Sequence, residues 1–175
     1  MQHTQGEYDY QQISPVFSVP LSSVEYPDQL HMVCEIPKGT DDKMEVKLDE
    51  EYQAIMHDLT AAGHIRKYKH GVMPWNYGML PQTWEDDRHV WPETGLVGDG
   101  DPIDVIEIGS LVLSTGEIAR VKVLGILALI DQYETDWKVI AINADDPRAK
   151  SIASKFLVER MNIFFPNLLL QIESY

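Results

Sequence analysis

Asp99-Gly100-Asp101-Pro102-Ile103-Asp104 places three aspartates within six residues. Carboxylates this close repel one another unless cations stand between them. Pro102 and Ile103 stiffen the loop, and a stiff, oxygen-rich, acidic loop suits a hard divalent cation such as Mg²⁺. Taken alone, the same six residues fit an acidic surface turn equally well, because Asp-Gly is a common turn dipeptide.

More carboxylates stand at comparable positions. Asp131 and Asp136 each lie at the end of an apolar, strand-like run, and Glu35 and Glu45 fall on early strand patterns. Against them are set Lys43, Arg66, Tyr77 and Lys138, isolated cations and a hydroxyl at strand or loop positions. Carboxylates to hold metal, with Lys, Arg and Tyr to hold anionic oxygens, are what phosphoryl transfer requires. Rival motifs fail. A calcium loop starting at Asp99 needs Gly at its sixth position and Glu at its twelfth, where this chain has Asp104 and Ser110. No phosphate-binding G-x-x-x-x-G-K-[ST] loop and no G-x-S-x-G elbow is present. His57, His64 and His70 do not have the spacing of a zinc pair and read as ordinary surface histidines.

These residues need elements to carry them. Residues 30–36 read as a strand ended by Pro37 and Gly39. Over 43–48, Lys43, Glu45 and Lys47 alternate with Met44, Val46 and Leu48, the pattern of a half-buried strand with a charged face. Tyr52, Ile55, Met56 and Leu59 have helical spacing, so the pattern predicts a short helix stopped at Gly63. Pro74, Pro81, Pro92 and Gly95 punctuate a long irregular stretch, and Trp75, Tyr77, Trp84 and Trp91 favour its being ordered. Three β-branched runs follow at 105–108, 118–129 and 137–142, close enough in sequence to predict antiparallel pairing. After Asp146-Pro147 the period changes: Ile152, Phe156, Leu157 and Met161 predict a helix capped at Asp146, and Phe165-Pro166 opens a second. Strands followed by helices predict an α+β, mainly β fold: a small barrel-like sheet with peripheral helices.

Size and charge bound the function. A chain of 175 residues suits one domain with one real core. Its net charge of −14 excludes nucleic acid and anionic membrane as expected partners, since both need clustered Lys and Arg. The longest apolar run, 124–130, is seven residues, too short to span a bilayer. A single cysteine, Cys34, in an apolar run reads as a buried structural thiol in a reducing compartment. The first seven residues lack the apolar core of a signal peptide, and a cytoplasmic location is expected, with an organelle left open.

In order, the motifs Glu35-Ile36-Pro37 with Lys43-x-Glu45, Asn76-Tyr77-Gly78, Pro81-Gln82-Thr83-Trp84-Glu85-Asp86, Gly98-Asp99-Gly100-Asp101-Pro102-Ile103-Asp104-Val105 and D-x-x-E-T-D-W-K from Asp131 to Lys138 resemble the family I soluble inorganic pyrophosphatases of eukaryotic type. The resemblance covers about residues 15–175. It implies a five-stranded OB-like barrel with helices outside, preceded by a flexible segment over 1–14, and an extended rather than helical stretch over 49–66. It implies hydrolysis of pyrophosphate to two orthophosphates by an inorganic diphosphatase that uses several Mg²⁺ ions, with Mn²⁺ or Zn²⁺ as substitutes. Residue by residue, Asp99, Asp104 and Asp136 match the ligands of the tightest metal. Asp131 and Glu45 match carboxylates of the outer metals, and Asp101 matches the base that takes the proton from the attacking water. Lys43, Arg66 and Tyr77 match phosphate-contacting residues, and Lys138 and Glu35 match charged groups lining the site. A homodimer is the implied assembly.

The chain departs from this pattern twice. Met73 stands where the family usually has a tyrosine, which removes one hydroxyl donor, worth about 0.5–1.5 kcal/mol. The family's Tyr-Lys pair, expected after the helix that begins near Pro166, has no counterpart before Tyr175. The barrel domain is therefore expected to be incomplete at its C-terminus. The alternative expectation is a weakly active or inactive metal-binding isoform that acts through a partner subunit.

Overall fold

A computed structural model describes residues 13–68 and 71–152. Leu30–Ile36 forms β1, as its apolar run predicts. The alternating segment gives β2, Met44–Val46. The helix predicted over 52–63 does not form. Glu51–Gln53 is a single 3₁₀ turn with Tyr52 at φ +60°, and Ile55–His57 is strand β3, antiparallel to β2. The helical spacing covers only about two turns, too short to hold a helix by itself, and tertiary packing overrides it. As a hairpin, Val46, Leu48 and Ile55 lie together against the buried cluster of Val16, Val19, Val33 and Met79.

The long irregular stretch contains a strand that pattern reading missed, β4, Asn76–Met79. Its four residues include no β-branched side chain, so its strand character comes from its neighbours. It pairs antiparallel with β1 on one side and with β5, Asp104–Glu107, on the other. Gly78 permits the close approach to β1: a Cβ there would stand 2.0 Å from the Val33 carbonyl oxygen.

β6, Ile118–Asp131, and β7, Glu134–Asn143, form a long antiparallel hairpin. β6 also pairs with β1, which closes a five-stranded barrel in the order β1-β4-β5-β7-β6. The expectation of antiparallel pairing throughout holds for β6 with β7 but not for β5, which runs parallel to β7. The segment after β5 crosses over before β6 begins, so β6 lies between β7 and β1 and leaves β7 free to meet β5 in the same direction.

Alternate residues of β5 and β7 fall in two different apolar clusters, so these strands are covered on both faces. Ile106, Ile140 and Ile142 join one cluster with Ile36, Met73 and Trp75. Val105, Val139 and Ala141 join the other with Met32, Cys34 and Val121. Cys34 is buried there as a structural thiol, and burial pushes its pKa up to about 12. Glu107 is fully buried, and its carboxylate accepts the backbone N–H of Gly109 and of Asn143 and the side-chain amide of Asn76, each at 2.7 Å. One acid thereby ties β4, β5 and β7 together beside the residues that carry the polar groups.

Among the described residues the only helical element is the 3₁₀ turn. Residues 147–151 form turns, with Asp146 Oδ1 accepting the Arg148 N–H at 2.8 Å. The rest of the two predicted C-terminal helices, and most of the predicted N-terminal segment, lie outside the described residues. No helix among the described residues is long and apolar enough to cross a membrane.

Candidate active site

Asp104 and Lys138 face each other across the parallel β5–β7 pair, on the same strand faces as Ile106 and Ile140. The polar site is thus the end of an apolar wall. Asp104 Oδ2 accepts the Tyr77 hydroxyl at 2.5 Å and an ion-paired hydrogen bond from Lys138. Lys138 also pairs with Asp136. Burial alone would lower the Lys138 pKa, but Asp104 and Asp136 overturn that and hold it above its ordinary value.

The acidic loop reaches this wall through Glu85. The Glu85 N–H donates to the Asp101 carbonyl at 2.9 Å, and the Gly100 N–H donates back to the Glu85 carbonyl at 3.0 Å. Gly98 lies so close beneath that a Cβ would be 2.6 Å from the Glu85 backbone. Gly100 has φ +81°, which glycine adopts freely, and its outer side faces the Trp84 ring. Within the loop, Asp99 Oδ1 accepts the Asp101 N–H at 3.0 Å. The result is that Glu85, Asp99 and Asp136 bring carboxylate oxygens within 4.8 Å of one another.

Their protonation reports the crowding. Burial pushes Glu85 up to about 8, with Asp99, Asp136 and Asp104 adding to the rise and the Trp137 N–H opposing it. Burial also raises Asp99 and Asp136. Asp101 is pushed up to about 6 by burial, then by Asp99 and Asp104, with Glu45 adding and Lys43 opposing. Asp101 therefore stands in the field of two groups of residues, the acidic loop and the β2 strand. An all-oxygen set of three converging carboxylates fits a hard divalent cation.

The second group is cationic. Lys43 Nζ lies 3.0 Å from Glu45 Oε2 and 3.1 Å from Asp58 Oδ2, and the same Asp58 oxygen lies 3.0 Å from Arg66 Nη1. Lys47 pairs with the other oxygen of Glu45. Glu35 on β1 accepts the Val46 N–H at 2.7 Å, locking β2 to the barrel. Its burial pushes its pKa up to about 8, with Asp104 adding.

Most of the predicted site residues are therefore gathered. Asp99, Asp101, Asp104, Asp136, Lys138 and Tyr77 lie toward one end of β5 and β7, and Lys43, Glu45 and Arg66 are linked beside the β2–β3 hairpin, Arg66 through Asp58. Asp131 is placed differently. It stands exposed at the end of β6, opposite Glu134, and contributes a field at Asp136. Met73 is buried in the apolar cluster. His57 and His64 are exposed, as expected. Two residues were missed. Glu85 lies inside a quoted motif, next to Asp86, and only its burial distinguishes it from its neighbour. Asp58 carries no motif. Reading 55–59 as a strand would have placed it beside Lys43, whose carbonyl accepts the Asp58 N–H at 2.9 Å.

The family model described as inorganic pyrophosphatase matches residues 32–169. An inorganic pyrophosphatase of Mus musculus is 47% identical over 166 residues, 92% of this chain and 55% of the mouse protein. One from Candida glabrata is 43% identical over 168 residues, 93% of this chain and 57% of its own length. The chain thus spans about half the length of these curated relatives. Among solved structures, the type I inorganic pyrophosphatase of Toxoplasma gondii superposes with a TM-score of 0.83 at 41% identity, covering 91% of this chain and 69% of that one. An N-terminally truncated vacuolar soluble pyrophosphatase of Trypanosoma cruzi, solved in complex with PPi, gives 0.85 at 40% identity, covering 94% and 64%. A family match across most of the chain, with the same fold in the solved relatives, makes this chain a member of the inorganic pyrophosphatase family.

Proposed function

We propose that the chain hydrolyses inorganic pyrophosphate to two orthophosphates in the presence of Mg²⁺. The observation that carries this reading is the convergence of the Glu85, Asp99 and Asp136 carboxylates, with Asp101 hydrogen-bonded to Asp99 through its N–H and its carboxyl feeling Asp104, Glu45 and Lys43. Asp99, Asp136 and Glu85 would hold a divalent cation, with Asp104 beside them. When bound, that cation neutralises phosphate charge and makes water a stronger acid. Asp101 takes the proton from the attacking water, whose oxygen forms the new bond to phosphorus as the bridging P–O bond breaks. Lys43 and Arg66 bind terminal phosphate oxygens and stabilise the charge that appears on the departing phosphate, which then takes a proton from solvent. Lys138 and Tyr77 keep the Asp104 carboxylate fixed. Glu35 and Glu45 hold β2 and Lys43 in place.

Phosphate release from pyrophosphate, with Mg²⁺ and with EDTA, tests this. Mg²⁺-dependent release is expected, and Asp101→Asn should lower kcat by about 10²–10⁴-fold, the size of a general-base contribution. Equal release in EDTA would sink the metal-dependent mechanism. Metal-dependent thermal stabilisation with no release at all would leave a binding module in place of an enzyme.

A further inference from the structure

β7 starts at Glu134, but β5 pairs with it only from Lys138 onward. Two N–H groups of the stretch that β5 leaves uncovered are taken by the segments that carry the converging acids. The Thr135 N–H donates to the Val97 carbonyl at 2.7 Å, and the Trp137 N–H donates to both carboxylate oxygens of Glu85, each at 3.1 Å. A parallel bridge, Gly98↔Thr135, accompanies the first of these bonds. Asp136 lies between the two donors in sequence, and Asp99 follows Gly98. The start of β7 thus acts as a template that lays Asp99 and Glu85 beside Asp136.

Thr135 adds a side-chain hold to the backbone one. It is fully buried. Its hydroxyl donates to the Leu96 carbonyl at 3.1 Å and lies 2.6 Å from the Thr94 hydroxyl. With its own proton given to Leu96, the Thr135 oxygen accepts from Thr94. The Thr94 oxygen in turn accepts the Leu96 N–H at 3.2 Å. The bonds close a ring on one residue: from the Leu96 N–H to Thr94, from Thr94 to Thr135, and from Thr135 back to the Leu96 carbonyl. Leu96 is gripped at both backbone groups just ahead of Val97, Gly98 and Asp99. We propose that Thr135 is a positioning residue for the divalent cation, its hydroxyl and N–H together clamping residues 96–98 to β7 so that Asp99 stays beside Asp136.

The clamp matters because the groups it brings together repel. Burial raises the Asp99 pKa, and the charge of Asp136 adds to the rise. Once ionised and without a cation, the two acids push each other apart. A loop free to yield would have to be reassembled when the cation arrives, and that cost would weaken binding. A loop fastened through Leu96 and Val97 presents its acids already in place.

This inference rests on the reading in which Glu85, Asp99 and Asp136 hold a cation, and the test separates the two. Thr135→Val keeps the N–H and the bulk of the side chain and removes the hydroxyl. Mg²⁺ titration calorimetry should show its Kd raised about tenfold or more, the scale on which groups that orient metal ligands act. Thr135→Ser keeps the hydroxyl and should stay within about threefold of the parent chain. In phosphate release, the Mg²⁺ needed for half-maximal rate should rise in Thr135→Val, while KM for pyrophosphate at saturating Mg²⁺ should stay within about twofold. Thr135→Val also leaves the buried Thr94 hydroxyl without its acceptor, so the metal-free midpoint should fall. Val19→Ala, in an apolar cluster that contains none of these acids, is the control: it should lower the midpoint and leave Mg²⁺ affinity at the parent value. Parent-like Mg²⁺ affinity in Thr135→Val, an equal weakening in Val19→Ala, or no recovery in Thr135→Ser would overturn the inference. If the parent chain itself binds no Mg²⁺, the cation reading fails and the inference with it.

Discussion

Asp58 holds Lys43 and Arg66 on a single carboxylate oxygen, at 3.1 and 3.0 Å. Two cations so close would repel, and the acid between them sets their positions before any anion arrives. Burial works against this acid, but Lys43 and Arg66 more than compensate, and its pKa lies below the usual carboxylate value. Pre-set cations do not need to be ordered when phosphate binds, so their full attraction is available for substrate. Asp58→Asn keeps the shape and removes the charge. It should raise KM for pyrophosphate about tenfold while leaving kcat less affected, as read in steady-state phosphate release. An unchanged KM would mean that Lys43 and Arg66 find their places without Asp58. This residue shows where the sequence stops being legible. The acids in the D-x-D-P-x-D loop announce themselves by density, but Asp58 sits alone between His57 and Leu59. Its role exists only once β3 folds against β2, and spacing of 3.6 residues pointed away from that hairpin.

At the scale of elements, the site depends on how closely backbones approach. β1, β5, β6 and β7 were legible because each carries an apolar run bounded by turn residues, which admits a strand reading. β4 was not legible, because Asn76-Tyr77-Gly78-Met79 becomes a strand through its two partners and through Gly78. Gly98 has the same function for the acidic loop. With a Cβ at 2.6 Å from both the carbonyl carbon and oxygen of Glu85, a contact no real structure tolerates, the loop has to move. What moves is the distance between Glu85 and Asp99, two of the three acids that converge. Gly98→Ala should therefore weaken Mg²⁺ binding by about tenfold or more, on the scale of disturbing the groups that orient metal ligands. Far-ultraviolet circular dichroism should stay close to the parent's, since the clash touches the barrel only at the start of β7, through the Gly98–Thr135 bridge and the Glu85–Trp137 hydrogen bond. The direct measurement is a Mg²⁺ titration followed by calorimetry. Parent-like affinity would show that the loop adjusts without separating Glu85 from Asp99.

Across the whole molecule, a few of the 28 acids behind the net charge of −14 lie where charge costs most, Glu35 and Glu85 among them, buried away from water. Glu35 and Glu85 are each pushed up to about 8 and Asp101 to about 6. A raised carboxyl pKa means that the folded state binds the proton more tightly than the unfolded chain does. The associated stability is fully present below the unfolded pKa and is lost as pH rises through the folded value. For these acids that window runs from about 4.5 to about 8. Asp146 does not offset the trend. Arg148 holds it well below the usual carboxylate range, so its contribution is lost only in stronger acid. The metal-free chain should therefore melt highest near pH 5, and its midpoint should fall by about 3–10 °C by pH 8, given that 1 kcal/mol moves a domain of this size by about 2–4 °C. Saturating Mg²⁺ should remove most of that slope, because a cation binds the ionised acids and stabilises the folded state by mass action. Differential scanning calorimetry at several pH values, with EDTA and with Mg²⁺, reads both effects. A flat metal-free profile between pH 5 and 8 would show that neither burial nor neighbouring charge raises these acids in the folded state, and would remove the reason for them to recruit a cation.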